Sequence, residues 1–202
     1  MSHEPVTRAM VVTVGAGRVD DRTDAEVIEA SWHTPDEFGA LHDRHVGALY
    51  RYACQRVGPA AAEDGVADTF LAAFSQRGRF DLARVTARPW LFGILTHRIA
   101  RWSRAERTHY QAYARAAQAP VAEALAERVA EQASAQALRG QLAQALCRLR
   151  RGDRDVLLLI AWGQLSYDEV ADALGIPVGT VASRLNRARR KVREALSDAA
   201  GL

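Results

Sequence analysis

The stretch from Ser166 to Lys191 leaves the chain few ways to fold. Ser166 and Glu169 have the S-x-x-E spacing of a capping box, in which each side chain satisfies a backbone N–H at a helix start. Val170, Ala171 and Leu174 then share one helical face, Gly175 supplies a residue able to turn with positive φ, and Val181 with Leu185 begins a second apolar stripe. Two helices joined by a tight glycine turn make a helix-turn-helix, whose second helix enters the major groove of DNA. Off its apolar side that helix carries Thr180, Ser183, Arg184, Asn186 and Arg187, and it runs on through Arg189, Arg190, Lys191 and Arg193. Hydroxyls, an amide and guanidiniums are the groups that hydrogen-bond base edges and phosphates. A solvated basic helix at the end of an ordinary bundle is the plainer alternative, but cap, turn and cationic exit together point to DNA.

Charge is segregated along the chain. The net charge is only +3 over 202 residues, yet residues 84 to 115 hold arginines at 84, 88, 98, 101, 104, 107 and 115 against Glu106 alone, while residues 1 to 34 are acidic. Two basic zones and an acidic tail suggest nucleic acid touched at two places. Hydrophobic content of 49% with 25% charged residues is that of a globular protein. Cys54 and Cys147 lack a C-x-x-C pattern and sit in apolar helical registers, so they read as buried reduced thiols rather than metal ligands. With no apolar run of about 18 residues and no basic start followed by a long apolar segment, the expectation is a cytoplasmic protein that does not engage a membrane.

Periodicity predicts an all-α chain of two small helical domains joined by a flexible linker. Residues 1–33 lack sustained periodicity and read as a mobile acidic arm. Thr34-Pro35-Asp36-Glu37 offers a capping box with proline at the first helical position, followed by a 3.6-period stripe through Phe38, Leu41, His45, Leu49, Tyr52 and Ala53 that stops near Gly58. Pro59 opens the next helix, with Val66, Phe70, Ala73 and Phe74 inward and Glu63, Asp64 and Asp68 forming an acidic outer edge. A basic loop over 75–87 with one aromatic, Phe80, leads to a long helix from about Pro89 carrying Trp90, Leu91, Ile94, Leu95, Ile99 and Trp102. The first domain is thus 34–111. Residues 112–137, rich in Ala, Gln and Glu, offer little apolar surface and read as a tether. The second domain, 138–202, starts with the Leu138, Leu142, Leu146, Leu149 stripe, continues with a helix over Val156 to Trp162 capped by Asp153 and ended by Gly163, and closes with the helix-turn-helix.

Two blocks then carry a family resemblance. Ala62 to Phe74 (AEDGVADTFLAAF) with Trp90-Leu91-Phe92-Gly93-Ile94 resembles region 2 of the extracytoplasmic-function (ECF) sigma factors of bacterial RNA polymerase. Asp153 to Leu159 (DRDVLLL), Leu165 to Ala171 (LSYDEVA) and Val178 to Leu185 (VGTVASRL) resemble their region 4. The likeness covers about residues 36 to 200, with the blocks in the same order and a linker between. It implies a dissociable promoter-selecting subunit with no catalytic site, no cofactor and no metal, whose partners are core RNA polymerase, double-stranded promoter DNA and the melted minus-10 strand; the resemblance also leaves room for an anti-sigma factor. It further implies that Glu63, Asp64, Asp68 and Phe70 face core polymerase. The loop and the long helix would open the minus-10 element and hold a flipped base, which requires cations for phosphates and a pocket that replaces base stacking. Phe80 and Asp81 are the loop candidates, with Arg79, Arg84, His97, Arg98 and Arg101 beside them. Trp90 and Trp102 could stack on bases, but their register with Leu91, Leu95 and Ile99 favours core packing. On the recognition helix, Ser183, Asn186 and Arg187 are placed at base contacts, and Thr180, Arg184, Arg189 and Arg190 at phosphates. Arg184 and Arg193 could instead pair with acids inside the domain. Two positions depart from the pattern: His97 stands where Asn is common, bearing on minus-10 base preference, and Ala182 stands where a Lys or Arg often precedes Ser-Arg-Leu, removing one minus-35 contact.

Two other classes compete. A regulator of the response-regulator or quorum-sensing type carries a similar C-terminal helix-turn-helix, but it needs a sensor domain, and the first 110 residues show no alternating strands for one. An enzyme acting on nucleic acid would need His42, Asp43 and His45 to assemble into a site; His-x-x-His on one helix arises easily by chance, and surface histidines are the better account.

Overall fold

The computed structural model describes residues 21–116 and 126–200, without the side chains of Ser103, residues 116 and 126–135, or residues 198–200. Every regular element among the described residues is helical. The N-terminal bundle comprises α1 (Asp24–Ala30), α2 (Gly39–Val57), α3 (Pro59–Gln76), α4 (Arg88–Arg101) and α5 (Ser103–Ala116), and the C-terminal bundle α6 (Ala126–Arg148), α7 (Arg151–Ala161), α8 (Tyr167–Leu174) and α9 (Val178–Ala200). Gly58 breaks α2 from α3 with φ 82°, and Pro59 occupies the first turn of α3, where its missing N–H is harmless. In the first core, Leu41, Leu49, Tyr52 and Ala53 of α2 pack with Val66, Phe70 and Ala73 of α3 and Leu91, Phe92, Leu95 and Ile99 of α4. Edge-on ring pairs fix the packing, Phe38 on Phe74 at 5.3 Å and Tyr52 on Phe92 at 5.2 Å.

The acidic arm is shorter than expected, because its last part is built into the bundle. Residues 24–30 form α1 behind a complete capping box, Thr23 with Glu26, and bury Val27 and Ile28 fully. By contrast Thr34 caps nothing with its side chain: Pro35–Phe38 is a 3-10 turn that runs straight into α2, and Glu37 is taken by Arg22 at 2.7 Å. The brief Val run at 10–14 and the rest of the first 20 residues lie outside the described residues. The tether is also shorter than expected. Residues 112–116 complete α5 and 126–137 begin α6; these two helices pack on each other, and Tyr110 and Ala114 on one and Ala143 and Leu146 on the other are buried. The small side chains that offered little apolar area allow helices to approach closely instead.

In the C-terminal bundle, Leu146 and Leu149 of α6, Val156, Leu158 and Leu159 of α7, Val170 of α8 and Val181, Leu185 and Ala188 of α9 make the core. Asp153 is not a cap. The N-cap of α7 is Arg150, and Asp153 lies inside the first turn, 3% exposed, held by Arg187. The helix-turn-helix forms as its residues dictate. Ser166 accepts from the Glu169 N–H, Glu169 returns the bond to the Ser166 N–H at 2.7 Å, and Gly175 closes α8 at φ 62°, a conformation that costs an L side chain roughly 1–2 kcal/mol. Cys54 and Cys147 are free thiols, each half-buried. No helix among the described residues is long and apolar enough to cross a membrane.

Candidate nucleic-acid and polymerase interfaces

A cleft of about 690 Å³ opens on the N-terminal bundle, lined by Arg79, Phe80, Asp81, Arg84, Trp90, His97, Arg98 and Arg101 among others. The residues expected at the minus-10 strand therefore converge. Its floor is aromatic: Phe80, 7% exposed, lies against Trp90 with centroids 5.1 Å apart. Trp90 keeps a partly open ring there, so it packs and lines the cleft at once, whereas Trp102 caps α4 and lies against Gly65 of α3. Arg79, Asp81, His97 and Arg101 are exposed at the rim. Asp81 shapes the loop, accepting from the Ala83 N–H at 3.1 Å, and the His97 ring nitrogen Nδ1 meets the Gly93 carbonyl at 2.7 Å.

The loop is fixed by a residue assigned above to a mobile arm. Asp24, at the first position of α1, is 6% exposed and accepts from the Thr86 hydroxyl at 3.1 Å and the Ala87 N–H at 2.8 Å, the last residues before α4. Arg44 donates to it at 3.0 Å and His45 Nε2 lies 2.7 Å away. Burial pushes the Asp24 carboxyl pKa up, but the bonds from His45, Ala87 and Arg44 outweigh burial and hold it well below the usual carboxylate range. A carboxylate in the α1 first turn thus pins the start of α4 and the cleft loop. The S/T-x-x-E spacing at Thr23–Glu26 was the available signal.

The acidic edge of α3 divides. Glu63 and Asp64 are exposed, whereas Asp68 is paired with Arg98 of α4 at 2.9 Å, so this acid also braces a cleft arginine. Phe70 lies inside at 8% exposure with the His42 ring 4.7 Å away, so it supports the face from beneath rather than presenting to a partner. The apolar residue presented there is Leu71, 66% exposed, which periodicity alone did not single out although it lies seven positions after Asp64 on the same helical side. His42 and His45 go to separate partners, Asp43 and Asp24, and assemble no shared site.

On α9, Val181, Leu185 and Ala188 are fully buried, so Ser183 and Asn186 are turned outward. Arg189 and Arg190 are also exposed, Arg190 lying 3.7 Å from Glu194 of its own helix. Thr180 is half-buried, its carbonyl accepting from the Ser183 hydroxyl at 3.0 Å. Two arginines are already engaged. Arg187 pairs with buried Asp153 at 3.1 Å, and the half-buried Arg184 guanidinium lies over Gly152 of α7. The pairing with an acid inside the domain that was expected of Arg184 or Arg193 is made by Arg187 instead.

The two bundles meet along a polar seam. Arg84 at the cleft edge donates to Asp172 of α8 at 2.6 Å, and Arg88 donates to the Gly163 carbonyl at 2.6 Å. Beneath lies a buried network: Arg56 of α2 donates to Glu106 of α5 at 2.7 Å, to the Tyr52 hydroxyl at 2.8 Å and to Asp155 of α7 at 2.7 Å, while Arg154 reaches Glu106 at 2.8 Å. Burial would lower the Arg56 pKa, but the surrounding acids and tyrosines raise it further, so the group stays charged; burial leaves Asp155 raised in spite of Arg56. None of these pairings across the seam was visible in the linear sequence.

Comparison with known proteins agrees with this geometry. Residues 41–109 match sigma-70 region 2 and residues 139–192 match sigma-70 region 4. The chain is 32% identical over 160 residues to the ECF RNA polymerase sigma factor SigL of Mycobacterium tuberculosis, covering 79% of this chain and 88% of that one. It is 31% identical over 157 residues to the RNA polymerase sigma factor NccH of Alcaligenes xylosoxydans xylosoxydans, covering 77% and 84%. The structure of CnrH in complex with the cytosolic domain of CnrY superposes with a TM-score of 0.57 at 29% identity, covering 87% of this chain and 97% of that one. The sigma factor RpoE, in complex with the anti-sigma factor NepR from Bartonella quintana, shares the fold at a TM-score of 0.54 and 23% identity, over 80% of this chain and 98% of that one.

The chain belongs to the ECF group of the sigma-70 family, the initiation factors that bind core RNA polymerase and direct promoter-specific transcription. The region 2 match occupies the part of the chain where a response-regulator or quorum-sensing regulator would carry its sensor, which removes that alternative.

Proposed function

We propose a division of labour among the surfaces of this sigma factor. Glu63 and Asp64, with Asp68 behind them and Leu71 beside them, dock on a basic surface of core RNA polymerase. The cleft on α4 takes the melted minus-10 strand, its phosphates on Arg79, Arg84, Arg98 and Arg101 and a flipped base against the Phe80 and Trp90 rings, with Asp81 and His97 at the rim setting base preference. The outward face of α9 reads the minus-35 duplex, Ser183, Asn186 and Arg187 at base edges and Thr180, Arg184, Arg189 and Arg190 on the backbone. The protein works in the cytoplasm on the nucleoid and is bound by an anti-sigma protein, as RpoE is in its complex with the anti-sigma factor NepR.

The observation that supports this most is the cleft: one rim gathers four arginines around an aromatic floor, which is what backbone neutralisation plus replaced stacking demands. A reconstituted reaction tests it. The purified chain with core polymerase should form a stoichiometric complex and start transcripts at discrete genomic positions that share two upstream elements; a folded chain that leaves core polymerase unbound, or starts at random, overturns the reading.

A further inference from the structure

Another cavity, of about 250 Å³, lies where α7 and α9 meet α4. Its walls carry Arg151 and Asp155 of α7, Arg184 of α9 and His97 of α4. The charges around it do not balance. Asp153 is taken by Arg187 and Asp155 by Arg56, while Arg154 goes to Glu106. Arg151 and Arg184 are left with no acid among the described residues, although Arg184 is half-buried. Gly152 makes room for the second of these guanidiniums: a Cβ there would stand 2.8 Å from Arg184 Nη1. Two acceptor groups line the same space. Asp155 takes its bond from Arg56 through one carboxylate oxygen. In His97, Nδ1 meets the Gly93 carbonyl at 2.7 Å; a carbonyl only accepts, so Nδ1 carries the ring proton and the neutral ring keeps a lone pair on Nε2.

We propose that this cavity is a binding site for inorganic phosphate that still carries a proton. The unpaired guanidiniums of Arg151 and Arg184 supply the charge and the planar N–H forks that suit phosphate oxygens. The acceptors decide which anion enters. Hydrogenphosphate offers charged oxygens to the two arginines and a P–OH that can donate to Asp155 or to His97 Nε2. Sulfate at neutral pH has no proton to give, so it would set an oxygen against these acceptors and leave them unpaired, which costs binding. Asp155 does not turn the anion away, because Arg56 already neutralises it. Size agrees with a small ion: pockets for drug-sized ligands begin at about 300 Å³, and this one is smaller. A ligand that binds only the folded chain also stabilises it, by mass action. Arg184 was placed above on the minus-35 backbone, whereas Arg151 has no task in promoter reading, so Arg151 is the residue that isolates this site.

The test titrates sodium phosphate into the full chain at neutral pH and constant ionic strength, with calorimetry reading affinity and thermal melting reading stability. Phosphate should bind saturably and raise the melting midpoint, and sulfate should bind about tenfold or more weakly for want of a proton to donate. Arg151→Gln should weaken phosphate binding by about tenfold or more, the loss expected of a charge-assisted hydrogen bond. Gly152→Ala keeps the net charge but pushes the Arg184 guanidinium aside, and should cost about three- to tenfold. Arg139→Gln removes the same charge from an exposed position on α6, outside the cavity walls, and should change nothing. Circular dichroism confirms the helices; should Gly152→Ala misfold, the comparison of Arg151→Gln with Arg139→Gln decides alone. Binding that does not saturate, sulfate held as tightly as phosphate, or Arg151→Gln losing no more than Arg139→Gln means an adventitious ion only and overturns the site. Phosphate without effect on wild type, together with weaker binding of promoter duplex by Arg151→Gln, gives Arg151 to the DNA backbone and overturns the site as well.

Discussion

Replacing Asp24 by alanine should loosen the loop that leads into the cleft, far from any expected DNA contact. The carboxylate is 6% exposed and collects bonds from Arg44, His45, Thr86 and the Ala87 N–H. Its removal strands the buried Ala87 N–H, which costs about 1–3 kcal/mol, and breaks a buried charge pair, about 3–5 kcal/mol when one partner alone is lost. Arg44 and His45 keep some solvent, so the two costs are not additive and about 3 kcal/mol is expected. Asp24→Asn retains one acceptor oxygen and should lose about half as much. Because the folded-state pKa is depressed, the carboxylate's contribution is fully present above the unfolded value near 4 and disappears as pH falls toward the folded value. Urea unfolding followed by circular dichroism at pH 7 and at pH 3 measures both effects: the gap between wild type and Asp24→Asn should narrow at the lower pH. A loss below about 1 kcal/mol for Asp24→Ala, or a gap that widens in acid, would refute the account of α1 as the anchor of the cleft loop.

Three further outcomes follow from the same geometry. Asn186→Ala should leave stability unchanged and cost about 1–3 kcal/mol at particular minus-35 bases, whereas Arg187→Ala should also destabilise the C-terminal bundle because it strands Asp153, and Arg190→Ala should weaken every sequence alike and flatten the salt dependence; affinity profiles over single-base promoter variants at two salt concentrations, with melting curves, separate the three. Reversing Glu63 and Asp64 to lysine should weaken the complex with core polymerase while melting is unaltered, since exposed acids contribute little to folding; unchanged affinity in a pull-down titration counts against that face. Gly175→Ala should cost about 1–2 kcal/mol through its left-handed backbone, read as a lower melting midpoint, with no such loss at Gly179, where nothing crowds an added Cβ.

What the linear chain determined was local. The Ser166–Glu169 box, the Gly175 turn and the Val181–Leu185 stripe form from neighbours within a few residues, so the helix-turn-helix could be read directly, as could the Gly58–Pro59 break and the inward face of α3. The same rule misread Thr34, because Glu37 had a competitor, Arg22, supplied by another segment. It also passed over Thr23–Glu26 and with it Asp24, whose partners lie 20, 21, 62 and 63 positions away. Only the tertiary structure decided which charged groups were available. Arg187 serves Asp153, Asp68 braces Arg98, Arg84 is capped by Asp172, and Arg56 disappears into a network spanning both bundles. A charge pattern fixes where cations lie along a helix; whether a cation meets solvent, an acid or another bundle depends on long-range packing, which no local periodicity encodes.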